Sequence, residues 1–221
     1  MGLASDERAA LCDLFDEVGP DAPTLCDGWQ TRDLAAHLVL RDRRPDAAGG
    51  ILIPALAART KRVQDSYAAK PWTELVELVR TGPPVWSPFG IPGLADLVNG
   101  AEYFIHHEDV RRGGEDWAPR PADAERDAAL WRTAGMSGRM AFRRSPVGVA
   151  LRKADGTQVV LHKGPSPVGV GTRQGVGEDT VVISGEPSEL LLTVFGRDKA
   201  RVEFEGEDKA VETVRGLERS F

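Results

Sequence analysis

Glu102 and His106 stand four residues apart in Glu102-Tyr-Phe-Ile-His106-His107-Glu108-Asp109, a stretch holding two of the chain's four histidines. On a helix, that spacing puts a carboxylate and an imidazole on one face, where they can grip one metal ion. A third ligand has a source in His37, within Asp33-Leu-Ala-Ala-His37-Leu on another predicted helix. Two histidines and one carboxylate are a common set for zinc with an open coordination position, and for non-haem iron. The bland alternative is a solvated i, i+4 pair contributing only a few tenths of a kcal/mol. Against it, His106 borders a predicted apolar stripe of Leu94, Val98, Ala101 and Ile105, and His37 sits beside Leu34 and Leu38. Helix bundles build metal sites from inward side chains in this way.

Neighbouring residues compete for roles. His107 is rotated about 100° from His106 and does not readily share a face with Glu102. His162, on a predicted strand, reads as a surface residue that can also reach a cleft. Asp33 and Asp109 each lie about one turn from a histidine. Either can orient an imidazole or serve its helix locally. Arg41, one turn past His37, is a candidate for binding a substrate carboxylate, against the default of a solvated charge. Cys12 reads as a small buried hydrophobe, and Cys26 as a loop residue before Trp29, a weaker candidate for a thiol near the site.

The elements that must position these residues are helical over the first 140 positions. Ser5, Thr31 and Thr73 are candidate caps for three helices, the second ending near Arg43 because Pro45 follows. A less amphipathic helix starts near Pro54. The motif helix covers about residues 94–112, and a further helix covers 122–142. The pattern then changes. Apolar runs at 147–151 and 159–162 flank Asp155-Gly156, a hairpin signal. A strand over 180–184, a helix over 187–195, a strand over 200–205 and a helix over 208–217 follow. The expectation is a helical domain, 1–143, and a small α+β domain, 144–221. Ser-Pro-Val-Gly-Val occurs at 145–149 and again at 166–170 without making a repeat. The glycine-rich stretch 169–175 lacks a phosphate loop's Lys-Ser/Thr ending and reads as a connection.

Composition bounds the function. A 221-residue chain with 41% hydrophobic residues can bury a core. No apolar run approaches the roughly 18–20 residues of a membrane span. The charged N-terminus lacks a signal-peptide pattern. Two cysteines without Cys-x-x-Cys spacing read as reduced in a cytoplasm. A net charge of −6 argues against a nucleic-acid partner.

Taken together, Trp29-Gln-Thr-Arg-Asp-Leu-Ala-Ala-His37-Leu and Glu102-Tyr-Phe-Ile-His106-His107-Glu-Asp-Val-Arg-Arg resemble the two metal motifs of mycothiol-dependent maleylpyruvate isomerase-type proteins, in the DinB-like group. The tail, from Ser184-Gly-Glu-Pro through Phe195-Gly-Arg197 to Val202-Glu-Phe-Glu-Gly206, is similar to the sterol-carrier-like domain that often follows. The resemblance implies a DinB-like four-helix bundle with an up-down-down-up course. It implies a divalent metal, usually zinc, on His37, Glu102 and His106. It also implies a mycothiol-like thiol cosubstrate activated for transfer to, or isomerisation of, a small anionic electrophile. A monomer or weak homodimer is expected, with no nucleic-acid or membrane partner. Arg41, Arg143, Arg144, Arg173 and Arg197 are candidates for such an anion. The rival readings are a non-catalytic metal or small-ligand binding protein and a metal-assisted hydrolase.

Overall fold

The computed structural model describes residues 2–51, 53–90, 94–164 and 180–217, the side chains of 88 and 94–98 excepted. Arg173, the stretch 169–175, the second Ser-Pro-Val-Gly-Val and the side chains of Leu94 and Val98 therefore lie outside the described residues. The chain divides into two compact units, Met1–Ala118 and Pro119–Phe221. Among the described residues the fold is mostly helical, with one four-stranded mixed sheet. No helix among them is long and apolar enough to cross a membrane.

The first unit holds α1 (Leu3–Val18), α2 (Thr31–Arg43), the short α3 (Pro45–Ala48), α4 (Ala57–Ala68), α5 (Trp72–Arg80) and α6 (Leu94–Arg111). α1 packs on α6 and α5, and α2 packs on α4 and α5. Leu11 and Phe15 of α1, Leu34 and Leu38 of α2, Leu75 and Val79 of α5, and Tyr103 of α6 share one apolar core. The caps differ from those expected. The residues before the three helices are Gly2, Gln30 and Pro71. Ser5 instead donates its hydroxyl to the Gly2 carbonyl at 2.7 Å. Thr31 donates to the Gly19 carbonyl at 2.6 Å, tying the start of α2 to the end of α1. Gln30 and Asp33 form the reciprocal box at the start of α2.

α6 departs from the one-stripe pattern. Tyr103 to Val110 are all buried, so the helix is enclosed on every side over these two turns. Its polar residues survive burial by pairing. Glu108 takes Arg112 at 2.6 Å, and His107 meets Glu7 of α1 at 3.1 Å. Buried polar groups without such partners would cost about 1–3 kcal/mol each.

The second unit holds α7 (Ala124–Ala141), β1 (Gly148–Arg152), β2 (Gln158–His162), β3 (Thr180–Ser184), α8 (Pro187–Val194), β4 (Glu203–Glu205) and α9 (Asp208–Arg215). The strand order is β2-β1-β3-β4, with β1 parallel to β3 and the other pairs antiparallel. Gly156 takes φ +84° in the β1–β2 hairpin turn, a conformation that favours glycine. The unit boundary falls earlier than the expected 143/144 position because α7 packs against α8 and β2. A long amphipathic helix carries no sequence mark of which neighbour takes its apolar face.

Candidate metal centre

α2 carries His37, and α6 carries Glu102 and His106, so the site depends on two elements of the first unit. The structure brings the three residues together: their candidate ligand atoms all lie within 4.8 Å of one another. His37 Nε2 lies 3.4 Å from Glu102 Oε1, and His106 Nε2 lies 3.3 Å from the same oxygen. The two imidazoles meet edge to face, with centroids 5.3 Å apart. Both histidines are buried, while the Glu102 side chain keeps 23% of its surface exposed.

Those separations bear on what the residues can hold. Zinc bonds of about 2.0–2.1 Å at tetrahedral angles put nitrogen and oxygen ligands about 3.3 Å apart. An N–H···O hydrogen bond centres nearer 2.9–3.0 Å. The two histidine–Glu102 separations fit the coordination spacing and are also those of long hydrogen bonds. The donor set, two imidazoles and one carboxylate, suits a divalent cation with positions left open.

A second group, Cys26, His106 and Asp109, adjoins the first. Here the distances are those of hydrogen bonds. Asp109 Oδ2 accepts from His106 Nδ1 at 2.9 Å and from the Cys26 thiol at 3.2 Å. Asp109 is fully buried and, once ionised, can only accept. His106 therefore turns its Nδ1–H to Asp109 and its Nε2 to Glu102 and His37. A carboxylate on the far nitrogen is the usual support of a metal-binding imidazole.

The electrostatics follow from burial and these contacts. Burial pushes His37 down, against the hydrogen bond with Glu102 that would raise it, which favours the neutral imidazole. Burial pushes Glu102 up, but His106, His37 and the Arg41 charge hold it well below the ordinary carboxylate range. Burial also disfavours a charged His106, yet Asp109, Cys26 and Glu102 hold it well above the ordinary imidazole value. These directions make His106 the better proton holder of the two imidazoles, and a cation bound to its Nε2 would compete with that proton.

The remaining candidates fall elsewhere. His107 faces Glu7 and not Glu102. Asp33 accepts from the Gln30 backbone at 3.0 Å and serves the helix start. His162 ends β2 in the second unit. Arg143 and Arg144 are exposed, and Arg197 donates to the Phe195 carbonyl. Cys12 is fully buried, its thiol pushed up to about 12 chiefly by desolvation. Arg41 is 6% exposed, and its Nε lies 3.3 Å from Glu102 Oε1. Two loop residues adjoin the site: Cys26, through Asp109, and Trp29, whose ring lies 5.3 Å from that of His37. The Cys26–Asp109 contact spans 83 positions and has no spacing signal, whereas Trp29 opens the sequence motif that contains His37.

No protein-family model matches the chain, and no curated protein sequence matches it. Among solved structures, a mutant of mycothiol-dependent maleylpyruvate isomerase is similar in fold. The similarity covers 92% of this chain and 90% of that one, with a TM-score of 0.58 and 14% sequence identity. At that identity the likeness establishes a shared fold.

Proposed function

We propose that this chain is a metal-dependent enzyme that activates a small thiol of the mycothiol class. The thiol would be used for transfer to, or isomerisation of, a small anionic electrophile. His37, Glu102 and His106 are the proposed ligands, and zinc is the proposed ion. The observation that carries the reading is the pair of 3.4 and 3.3 Å separations from the two Nε2 atoms to one Glu102 oxygen. The fold shared with a mycothiol-dependent isomerase supports the choice of thiol chemistry. On this reading, the helical part of the chain is a DinB-like bundle and the sheet-bearing part a sterol-carrier-like domain.

Each ligand has a stated task. His37 is neutral and offers a lone pair. His106 is oriented by Asp109 so that Nε2 faces inward. Glu102 stays ionised beside Arg41 and offsets the cation's charge. The bound ion supplies Lewis acidity, which lowers the pKa of a coordinated thiol or water. The protein's own Cys12 is no substitute nucleophile, because it is fully buried.

Turnover tests the assignment. Zinc-loaded protein is assayed on maleylpyruvate and related unsaturated dicarboxylates, with mycothiol, with glutathione and with no thiol. The reading predicts turnover only with a thiol present. Equal turnover without thiol would move the assignment to metal-assisted hydrolysis. Zinc binding with no turnover under any condition would favour a binding protein.

A further inference from the structure

Arg41 is fixed by two side chains of α6 that stand three residues apart and so share one face. Its Nη1 donates to Asn99 Oδ1 at 2.8 Å, and its Nε lies 3.3 Å from Glu102 Oε1. Asn99 is held in turn: it is 2% exposed, and its Nδ2 donates to the Phe89 carbonyl at 2.7 Å. The Phe89 ring covers one face of the guanidinium, 4.1 Å from centroid to Cζ. Asp42 Oδ1 also accepts from Nη1 at 3.3 Å, and its Oδ2 accepts from the Tyr103 hydroxyl at 2.5 Å. The guanidinium is thus gripped through two nitrogens and one ring face, in a site that excludes most water.

From this we infer that Arg41 is a positioning residue: clamped by Asn99, Phe89 and Asp42, it fixes the Glu102 carboxylate at the point where both histidine Nε2 atoms converge. The inference rests on the metal reading of the same site. It assigns Arg41 a task other than the anchoring of a substrate carboxylate. The geometry favours it because a guanidinium is a rigid fork whose placement is inherited by whatever it touches. Glu102 Oε1 is touched by Arg41, His37 and His106 together. A side chain with 23% of its surface exposed and two free torsions near its end would otherwise sample several orientations.

The test is zinc affinity, measured by competition with a chromophoric chelator, in wild type, Arg41→Gln, Arg41→Lys and Asn99→Ala. Cobalt(II) absorption spectra and the melting temperature of metal-free protein are recorded on the same variants. Arg41→Gln is expected to bind zinc about 10–100-fold more weakly, the range typical for outer-sphere partners of metal ligands. Its cobalt spectrum should be altered. Arg41→Lys, which keeps the charge but loses the fork, should recover part of the affinity. Asn99→Ala should weaken binding in the same direction by less. If Arg41→Gln does not fold, Arg41→Lys and Asn99→Ala decide. Wild-type zinc affinity and an unchanged cobalt spectrum in the folded variants would overturn this inference alone. A wild type that binds no zinc would overturn the metal reading, and this inference with it.

Discussion

Asp109 accepts a 2.9 Å hydrogen bond from Nδ1 of His106, the residue one helical turn before it, and it does so fully buried. That contact sets which imidazole nitrogen points at Glu102. It also places a negative charge behind the ring, which strengthens Nε2 as a donor to a cation. The Cys26 thiol shares the same carboxylate oxygen, so a loop preceding α2 is tied to the far side of the site.

Asp109→Asn keeps the shape and removes the charge. Zinc affinity should fall about 10–100-fold, with the helical circular dichroism unchanged. A chelator competition titration reads this directly. Wild-type affinity in the variant would show that Asp109 does not support His106.

The two thiols should differ sharply. With its thiol pushed up to about 12, Cys12 is ionised to only about one part in ten thousand at pH 8, and no solvent reaches it. Alkylation of native protein with iodoacetamide at pH 8, followed by peptide mass mapping, should label Cys26 and leave Cys12 intact until denaturant is added. Rapid native labelling of Cys12 would contradict its place in the α1 core.

The Tyr103–Asp42 contact predicts both a stability and a pH effect. Tyr103→Phe leaves a buried carboxylate without its hydroxyl donor and should cost about 1–3 kcal/mol, read from urea unfolding. Burial, opposed by Tyr103 and Arg41, raises the Asp42 pKa above its ordinary 3.8. Protonated Asp42 is therefore better accommodated in the native state than in the unfolded one. The stability this contributes is complete below the unfolded value and is lost as pH rises through the folded one. Relative to wild type, Asp42→Asn should thus become less destabilised, or more stable, as pH rises from below 3.8 toward neutrality. A difference that is flat with pH would contradict the shift.

Gly113, just past α6, lies where a Cβ would collide with the backbone of Pro23 and Thr24. The next residue on, Leu25, donates its N–H to the Asp109 carbonyl at 3.0 Å, so this loop cannot retreat without loosening the site. Gly113→Ala should destabilise by about 1–3 kcal/mol, seen as a lowered melting temperature. No change would mean that the loop yields freely.

Much of this was legible in the sequence because it was local. The Asp155-Gly156 hairpin, the helix carrying Glu102 and His106, and the helix carrying His37 follow from turn chemistry and periodicity within short windows. The three residues picked out by type and spacing are neighbours in space. What escaped was non-local. Cys26 and Asp109 stand 83 positions apart, and Arg41 and Asn99 stand 58 apart, with no spacing rule to join them. The assignment of α7 to the second unit escaped for the same reason. The burial of α6 beyond its Ala101–Ile105 stripe escaped too, because its polar residues are buried against partners on α1, on α2 and within α6 itself, which periodicity does not reveal.

Metal content tests the central claim most directly. Purified wild type, His37→Ala, Glu102→Ala and His106→Ala are incubated with zinc, desalted and measured by elemental analysis, with circular dichroism confirming that each is folded. The account predicts about one zinc per wild-type chain, lost in all three variants. A wild type without zinc, or a His37→Ala variant with full occupancy, would contradict it.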